Sequence, residues 1–222
     1  GTIFSVLEGE TGARTRTALL AGTRQCAAGY IIYGPQTVLV MTLGEGVQFF
    51  TLDPKSDEFL LTKANLRIPA TTRECAINAS NFRHWDEHVH AYVDDCLAGE
   101  KGPRAVNFNM RWIASLVAEC HRILVRGGVF LYPADRRQGY AKGRLRLCYE
   151  ANPIAWLIEQ AGGAASTGQG RILEITPQDL HERVPLIFGS AQEVRRIEDY
   201  YADLHAHGRR SALFNRRGLF RA

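Results

Sequence analysis

Two groups of residues in this 222-residue chain have types and spacings that could do chemistry. The first is His84, His88 and His90. His84 and His88 are four apart, so on a helix they share a face and could chelate a metal ion. His90 falls well off that face and no H-E-x-x-H pattern accompanies the three, so a solvated amphipathic helix is the favoured reading. The second group lies between Phe130 and Gly163, FLYPADRRQGYAKGRLRLCYEANPIAWLIEQAGG. There an apolar run ends at Tyr132-Pro133. A basic loop follows with Arg136, Arg137 and Lys142, then Arg144 and Arg146, and Glu150 stands at the start of a helical pattern. Arginine forks bind phosphate bidentately. A carboxylate at a helix start is favoured by the helix dipole and can ligate a hard divalent cation. Read from residue type alone, Glu150 is better explained as a plain helix-start acid, and the tyrosines as core. No G-x-S-x-G elbow, P-loop or G-x-G-x-x-G occurs. Gly9-Glu10-Thr11-Gly12 and Thr167-Gly168-Gln169-Gly170 lack the strand-to-helix context of such motifs and read as ordinary turns.

These residues need elements to hold them. The first third reads as an antiparallel meander, with strands at Thr2–Leu7, Ala27–Tyr33, Thr37–Leu43, Val47–Leu52 and Phe59–Thr62. Its turns are Gly34-Pro35-Gln36, Gly44-Glu45-Gly46 and residues 53–57, with a polar connection over 14–22. From Pro69 the pattern becomes mixed α and β. Strands are expected at Glu74–Asn78, Val129–Tyr132, Leu145–Tyr149, Ile172–Ile175 and Leu186–Phe188. Helices are expected at Trp85–Leu97, Ile113–Val125 and Ala151–Gln160, the last with Pro153 in its first turn. Ser190 is placed to cap a final helix running from Ala191 to about Leu204. No internal repeat is visible.

Composition narrows the function classes. The chain is 45% hydrophobic, 23% charged and 9% aromatic, which is ordinary for a globular protein and excludes a low-complexity chain. No uncharged apolar run approaches the roughly 18–20 residues a membrane-spanning helix needs. The net charge of +4 is set by residues 205–222, which hold five arginines and no acid; without them 22 basic residues face 23 acidic ones. A body so close to neutral argues against a nucleic-acid-reading face. The tail is read as a solvated or subunit-covering extension; were it a nucleic-acid arm, its affinity would depend steeply on salt. The five cysteines, Cys26, Cys75, Cys96, Cys120 and Cys148, are scattered without a C-x-x-C pair, which points to buried thiols in a reducing, cytoplasmic setting. The chain opens on Gly1 and runs straight into an apolar strand, so a preceding segment is expected.

Six blocks in order then carry a resemblance: GTIFS at 1–5, AAGYIIYG at 27–34, FTLDPKSDEFLL at 50–61, NMRWIASLVAECHRILVRGGVFLYPA at 109–134, GRLRLCYEANPIAWLIEQAGGAASTG at 143–168 and ITPQDLHERVPLIFGS at 175–190. Over about residues 1–204 the chain resembles the later two-thirds of class I fructose-1,6-bisphosphatases. The resemblance implies an α/β fold, a layered α/β/α/β/α sandwich. Residues 1–66 would be the remainder of an N-terminal phosphatase domain, 67–204 a C-terminal substrate-binding domain and 205–222 a basic tail. It implies a Mg²⁺-dependent sugar-bisphosphate 1-phosphatase of gluconeogenesis or the Calvin cycle, with Mn²⁺ or Zn²⁺ as alternative ions, and usually a homotetramer.

Carried over by position, Glu150 matches the metal-binding glutamate of YE-x-NP, and Tyr132 the sugar- and phosphate-contacting tyrosine of FLYP. Arg144 stands where the family commonly has lysine. Asn78 matches the asparagine on the 6-phosphate. Arg111 matches the arginine that reaches a neighbouring subunit's 6-phosphate site. Trp112 and Asn81 replace phosphate-binding tyrosines, and Leu116 replaces a methionine at the sugar. The other metal carboxylates, a D-P-x-D-G-S-S-N motif and the AMP-binding segment would precede GTIFS. The resemblance therefore implies a substrate-binding half with one metal ligand, inactive by itself. Sedoheptulose-1,7-bisphosphatase activity is the neighbouring reading, since one more carbon and hydroxyl is a modest change for a pocket. A non-catalytic sugar-phosphate-binding module is the reading from a different class, and a D-P-x-D-G segment upstream would separate it from the enzyme.

Overall fold

In the computed structural model of the chain, residues 1–9 and 19–203 are described. The turn expected at 9–12 and the connection over 14–22 fall partly outside these residues, and the 205–222 tail falls wholly outside them.

Five strands, β1 (Thr2–Leu7), β2 (Gln25–Ile32), β3 (Val38–Thr42), β4 (Gln48–Asp53) and β5 (Glu58–Lys63), make an antiparallel sheet in sequence order. The alternation that marks them in sequence is the alternation of the pleat. In β3, Val38, Val40 and Thr42 are buried while Leu39 and Met41 are only half-buried.

The remainder builds a second sheet and its helices: β6 (Glu74–Ile77), α1 (Glu87–Leu97), β7 (Asn109–Arg111), α2 (Leu116–Arg126), β8 (Val129–Tyr132), β9 (Leu145–Arg146), α3 (Asn152–Gln160), β10 (Ala164–Ser166), β11 (Arg183–Val184), β12 (Leu186–Gly189) and α4 (Ala191–Ala202). Its strand order is β10-β12-β8-β6-β7. β6 runs parallel to both β7 and β8, whereas β12 is antiparallel to β8 and β10. β9 and β11 form a separate short ribbon.

Two apolar clusters arrange these elements in layers. Tyr30, Val40 and Phe49 of the first sheet meet Cys120, Ile123 and Leu124 of α2, Ile154, Leu157 and Ile158 of α3, and Phe130 and Phe188 of the second sheet. Beyond that sheet, Cys75, Ile77, Leu131 and Ile187 meet Val89, Tyr92 and Val93 of α1 and Val194, Ile197 and Tyr200 of α4. The order is therefore β/α/β/α, four layers of the α/β/α/β/α sandwich. Full burial of a side chain such as Ile123 or Leu157 stabilises by about 1.5–3 kcal/mol.

Several boundaries and elements differ from the sequence reading. α1 begins at Glu87 because Asp86 accepts from Val89 N at 2.8 Å, and α2 begins at Leu116 because Ser115 Oγ accepts from Ala118 N at 3.4 Å. The strand expected over 145–149 stops after Arg146, and Leu147–Ala151 coils into a π-type turn that feeds α3. Ile172–Glu174 is a 3-10 turn, not a strand. Ser190 precedes α4, but its hydroxyl accepts from Gly128 N at 3.3 Å; it is the Ser190 carbonyl that takes Glu193 N and Val194 N. Among the described residues no helix is long and apolar enough to cross a membrane.

Candidate functional site

Parallel strands deliver their C-terminal ends to one edge of a sheet, and loops leaving that edge form a natural crevice. Here Ala76 is level with both Arg111 and Phe130, and Ile77 with Leu131. The residues that follow, Asn78 after β6, Trp112 after β7 and Pro133 after β8, leave the sheet on the same side. A cleft opens between the first and third of these exits, lined by Asn78, Asn81, Trp85, Tyr132, Asp135 and Arg144. Four of the eight residues singled out in sequence thus share one cavity.

Each wall has a local cause. Asn78 caps the 3-10 turn Ala79–His84, its Oδ1 accepting from Ser80 N at 3.1 Å and Ser80 Oγ at 2.5 Å. That leaves the Asn78 amide nitrogen with no acceptor among the described residues. Trp112 does not line the cleft itself but stacks on Phe130 and on the lining Tyr132 at centroid distances of 5.8 and 5.9 Å, extending the aromatic surface beside it. Arg144 is placed by Gly143, where a Cβ would stand 2.1 Å from the Val184 carbonyl carbon and 2.2 Å from Pro185 N, so only glycine lets the chain pass. The Arg144 guanidinium then lies 5.5 Å from the Tyr132 ring and 4.5 Å from the Tyr140 ring. No carboxylate pairs with it among the described residues. Cation–π contacts of this kind contribute about 0.5–1 kcal/mol each, enough to orient the fork without satisfying its donors.

Asp135 is the one acid in the cleft, and its charge is already spoken for. Arg137 Nη2 reaches Asp135 Oδ2 at 2.5 Å and Nε reaches Oδ1 at 3.0 Å. The Arg137 hydrogen bonds hold the Asp135 carboxyl below the usual carboxylate range. Arg137 Nη2 also donates to Asn81 Oδ1 at 3.2 Å, and Arg136 N donates to His84 O at 3.2 Å, so the basic loop is stitched to the 79–84 turn. The cleft thus keeps Arg144 as a free cation beside amide and phenol donors, over an aromatic floor. The enclosed space is small, about 10 Å³, and its polar lining is of the kind that engages an anionic group through its oxygens.

The other sequence-selected residues lie elsewhere. Leu116 opens α2 and packs half-buried on the central core. Arg111, on the edge strand β7, turns its Nε to Glu74 Oε1 at 3.1 Å and is 41% exposed. Glu150 is in the π-type turn, which packs beside β1. Its Oε2 accepts from Arg146 N at 2.7 Å, with the Arg146 guanidinium at 3.9 Å. Among the described residues no three His, Cys, Asp or Glu side chains gather to hold a metal ion. Glu150 supplies one carboxylate with one oxygen already engaged, so the described residues do not by themselves make a site for divalent ions. Two of the three candidate histidines are engaged within the fold: His88 Nδ1 bonds to Tyr200 O at 2.8 Å and His90 packs edge-on to Phe82 at 4.4 Å.

Sequence reasoning missed Trp85, Asp135 and Tyr140, and it read Arg137 as a phosphate ligand where the structure pairs it with Asp135. The signal present was Asp135 two residues before Arg137 in a short loop, a spacing that lets a carboxylate and a guanidinium close on each other.

Comparison with known proteins adds the remaining observations. Residues 1–64 match the family described as fructose-1-6-bisphosphatase, N-terminal domain, and residues 68–202 the corresponding C-terminal domain. A class 1 fructose-1,6-bisphosphatase of Rhizobium meliloti (strain 1021) is 56% identical over 225 residues, covering 100% of this chain and 64% of that protein. One of Rhodopseudomonas palustris (strain TIE-1) is 55% identical over 221 residues with the same shares. Another, of Methylibium petroleiphilum, is 60% identical over 202 residues, covering 91% of this chain and 57% of that protein. The chain thus spans 64% or less of the length of these relatives.

Proposed function

Because this chain belongs to the fructose-1,6-bisphosphatase family, we propose that it holds the sugar phosphate in a fructose-1,6-bisphosphate 1-phosphatase, which hydrolyses its substrate to fructose 6-phosphate and phosphate. The observation that carries this reading is the convergence of Asn78, Asn81, Tyr132 and Arg144 on one cleft, with Arg144 the uncompensated cation. In this reading the Arg144 fork and the Asn78 amide hold the 6-phosphate, and the Trp112–Tyr132 edge carries the sugar ring. Fixing the substrate in this way removes part of the entropic barrier to reaction. Divalent-metal dependence goes with the family; Mg²⁺ is the proposed ion, supplying Lewis-acid chemistry at the 1-phosphate, with Glu150 as one ligand. A homotetramer in which Arg111 serves a neighbouring subunit's 6-phosphate site, and a cytoplasmic location, belong to the same proposal.

Since no further carboxylates join Glu150 among the described residues, residues 1–222 alone should bind fructose 6-phosphate and hydrolyse the bisphosphate negligibly. Calorimetric titration with fructose 6-phosphate tests the cleft. Arg144→Gln removes a charge-assisted bond worth about 1.5–3 kcal/mol, so binding should weaken by at least about tenfold. Unchanged affinity in Arg144→Gln would overturn the cleft assignment. Mg²⁺-dependent phosphate release by this chain, lost in Glu150→Gln, would overturn the inactivity.

A further inference from the structure

At the opposite end of β6 from the substrate cleft, where Glu74 begins the strand, lies a second cavity of about 560 Å³. It is walled by the segment preceding β6, the last turn of α2, the first turns of α4 and the approach to β7. Four arginines, Arg73, Arg104, Arg126 and Arg196, line it against two acids, Glu74 and Glu193.

Neither acid is available to the unpaired arginines. Glu74 already accepts from Arg126 at 2.8 Å, Arg122 at 2.8 Å and Arg111 at 3.1 Å. Glu193 is held by Arg104 at 2.8 Å and by the Tyr92 hydroxyl at 2.9 Å. With Glu119, which binds Arg122, the network sets six guanidinium groups against three carboxylates. Arg73 and Arg196 have no carboxylate partner among the described residues. The Arg196 Nε is shut off from water with no hydrogen-bond partner among the described residues. A guanidinium with a donor unmade and no carboxylate beside it is costly to hold, and an anion in the cavity that Arg196 lines would offset its charge. The Thr72 hydroxyl oxygen accepts from Glu74 N at 3.0 Å, which leaves its proton free to be donated into the same space.

We propose that this cavity is a second anion site, separate from the substrate cleft, that binds a phosphate group, either free or carried as a small monoester. Arg73 and Arg196 supply the forks, and the Thr72 hydroxyl a third donor from another direction, which suits a tetrahedral oxyanion. Arg126 and Arg104 remain on their glutamates and add field without being displaced.

The test is calorimetric titration of the 222-residue chain with inorganic phosphate, and separately with methyl phosphate, at constant ionic strength. It is run on the wild type, on Arg144→Gln to silence the substrate cleft, and on Arg144→Gln combined with Arg73→Gln and Arg196→Gln. The Arg144→Gln protein should still bind phosphate at one site per chain. Adding the two further substitutions should weaken that site at least about tenfold, the loss of a charge-assisted bond. Tighter binding of methyl phosphate than of phosphate would identify an ester as the ligand, and the reverse would identify free phosphate. Loss of all phosphate binding in Arg144→Gln would overturn the second site, as would an isotherm indifferent to the Arg73 and Arg196 substitutions. Should the triple variant fail to fold, Arg73→Gln in the Arg144→Gln background serves, because Arg73 is exposed and unpaired; it should weaken binding several-fold, and no change would again refute the site. Failure of the substrate reading would show differently, as an Arg144→Gln protein that binds sugar phosphate like wild type.

Discussion

Replacing Glu119 should unsettle both the second sheet's polar network and the loop that carries Trp112. The residue is fully buried on α2, yet charged, and both oxygens are engaged. Oε1 accepts from Ile113 N at 2.7 Å and Oε2 from Arg122 Nε at 3.0 Å. Ile113 follows Trp112 directly, so this carboxylate anchors the loop whose indole stacks on Phe130 and Tyr132. Glu119→Gln keeps the shape but not the charge, and its amide nitrogen must face one of two donors. The loss of one charge-assisted bond costs about 1.5–3 kcal/mol. Glu119→Ala leaves the Arg122 guanidinium with only Glu74 and the Ile113 amide with nothing, the situation in which breaking a buried pair costs about 3–5 kcal/mol. Against a total stability of about 5–15 kcal/mol either change is large. Urea unfolding followed by tryptophan fluorescence should give midpoints in the order wild type, Gln, Ala, with little change in slope. The fructose 6-phosphate affinity of the Gln variant should fall as Trp112 loosens. Losses below about 1 kcal/mol for both variants, or a Gln variant less stable than Ala, would refute the idea that this carboxylate anchors the loop.

Two further outcomes follow from the same region. Ala114 has φ +61°, a left-handed conformation that costs a non-glycine residue about 1–2 kcal/mol, whereas glycine's extra unfolded-state freedom costs about 0.5–1 kcal/mol. Ala114→Gly should therefore raise the melting temperature slightly and Ala114→Val lower it, as a thermal melt will show. His121 packs on Phe49 at 5.3 Å and bonds to the Tyr30 hydroxyl at 3.0 Å; burial, with Lys63 adding to it, pushes its imidazole below the usual histidine value. The unfolded chain then binds a proton near pH 6.5 that the native state refuses, so this contribution is present above about pH 6.5 and is lost as pH falls toward the lower folded value. Urea midpoints at pH 7.5 and 5.5 should fall further in wild type than in His121→Gln, and equal falls would count against the assignment.

What could be read from sequence divides along the range of the interactions involved. The meander of β1–β5 was legible because each strand pairs with its sequence neighbour through short turns, so local alternation and turn chemistry suffice. The run Leu145-Arg146-Leu147-Cys148-Tyr149 alternates equally well, yet only its first two residues find a partner, in Arg183 and Val184. Leu147 N is instead drawn to Glu182 O, and Glu150 Oε2 folds back on Arg146 N, bonds that convert the rest into a turn. Ser190 failed as a cap for a similar reason, its hydroxyl being claimed by Gly128 from 62 residues away. The cleft lies further out on the same scale. Asn78 and Arg144 are brought together only because β6 and β8 run parallel and Gly143 lets the chain pass against Val184 and Pro185, none of which leaves a periodic trace. Resemblance to a family supplied those residues because a family pattern records non-local contacts that one sequence's chemistry does not display. The cavity around Arg196 had neither kind of signal. Its arginines, at 73, 104, 126 and 196, look like scattered surface charge until the fold shows that the available carboxylates are already taken.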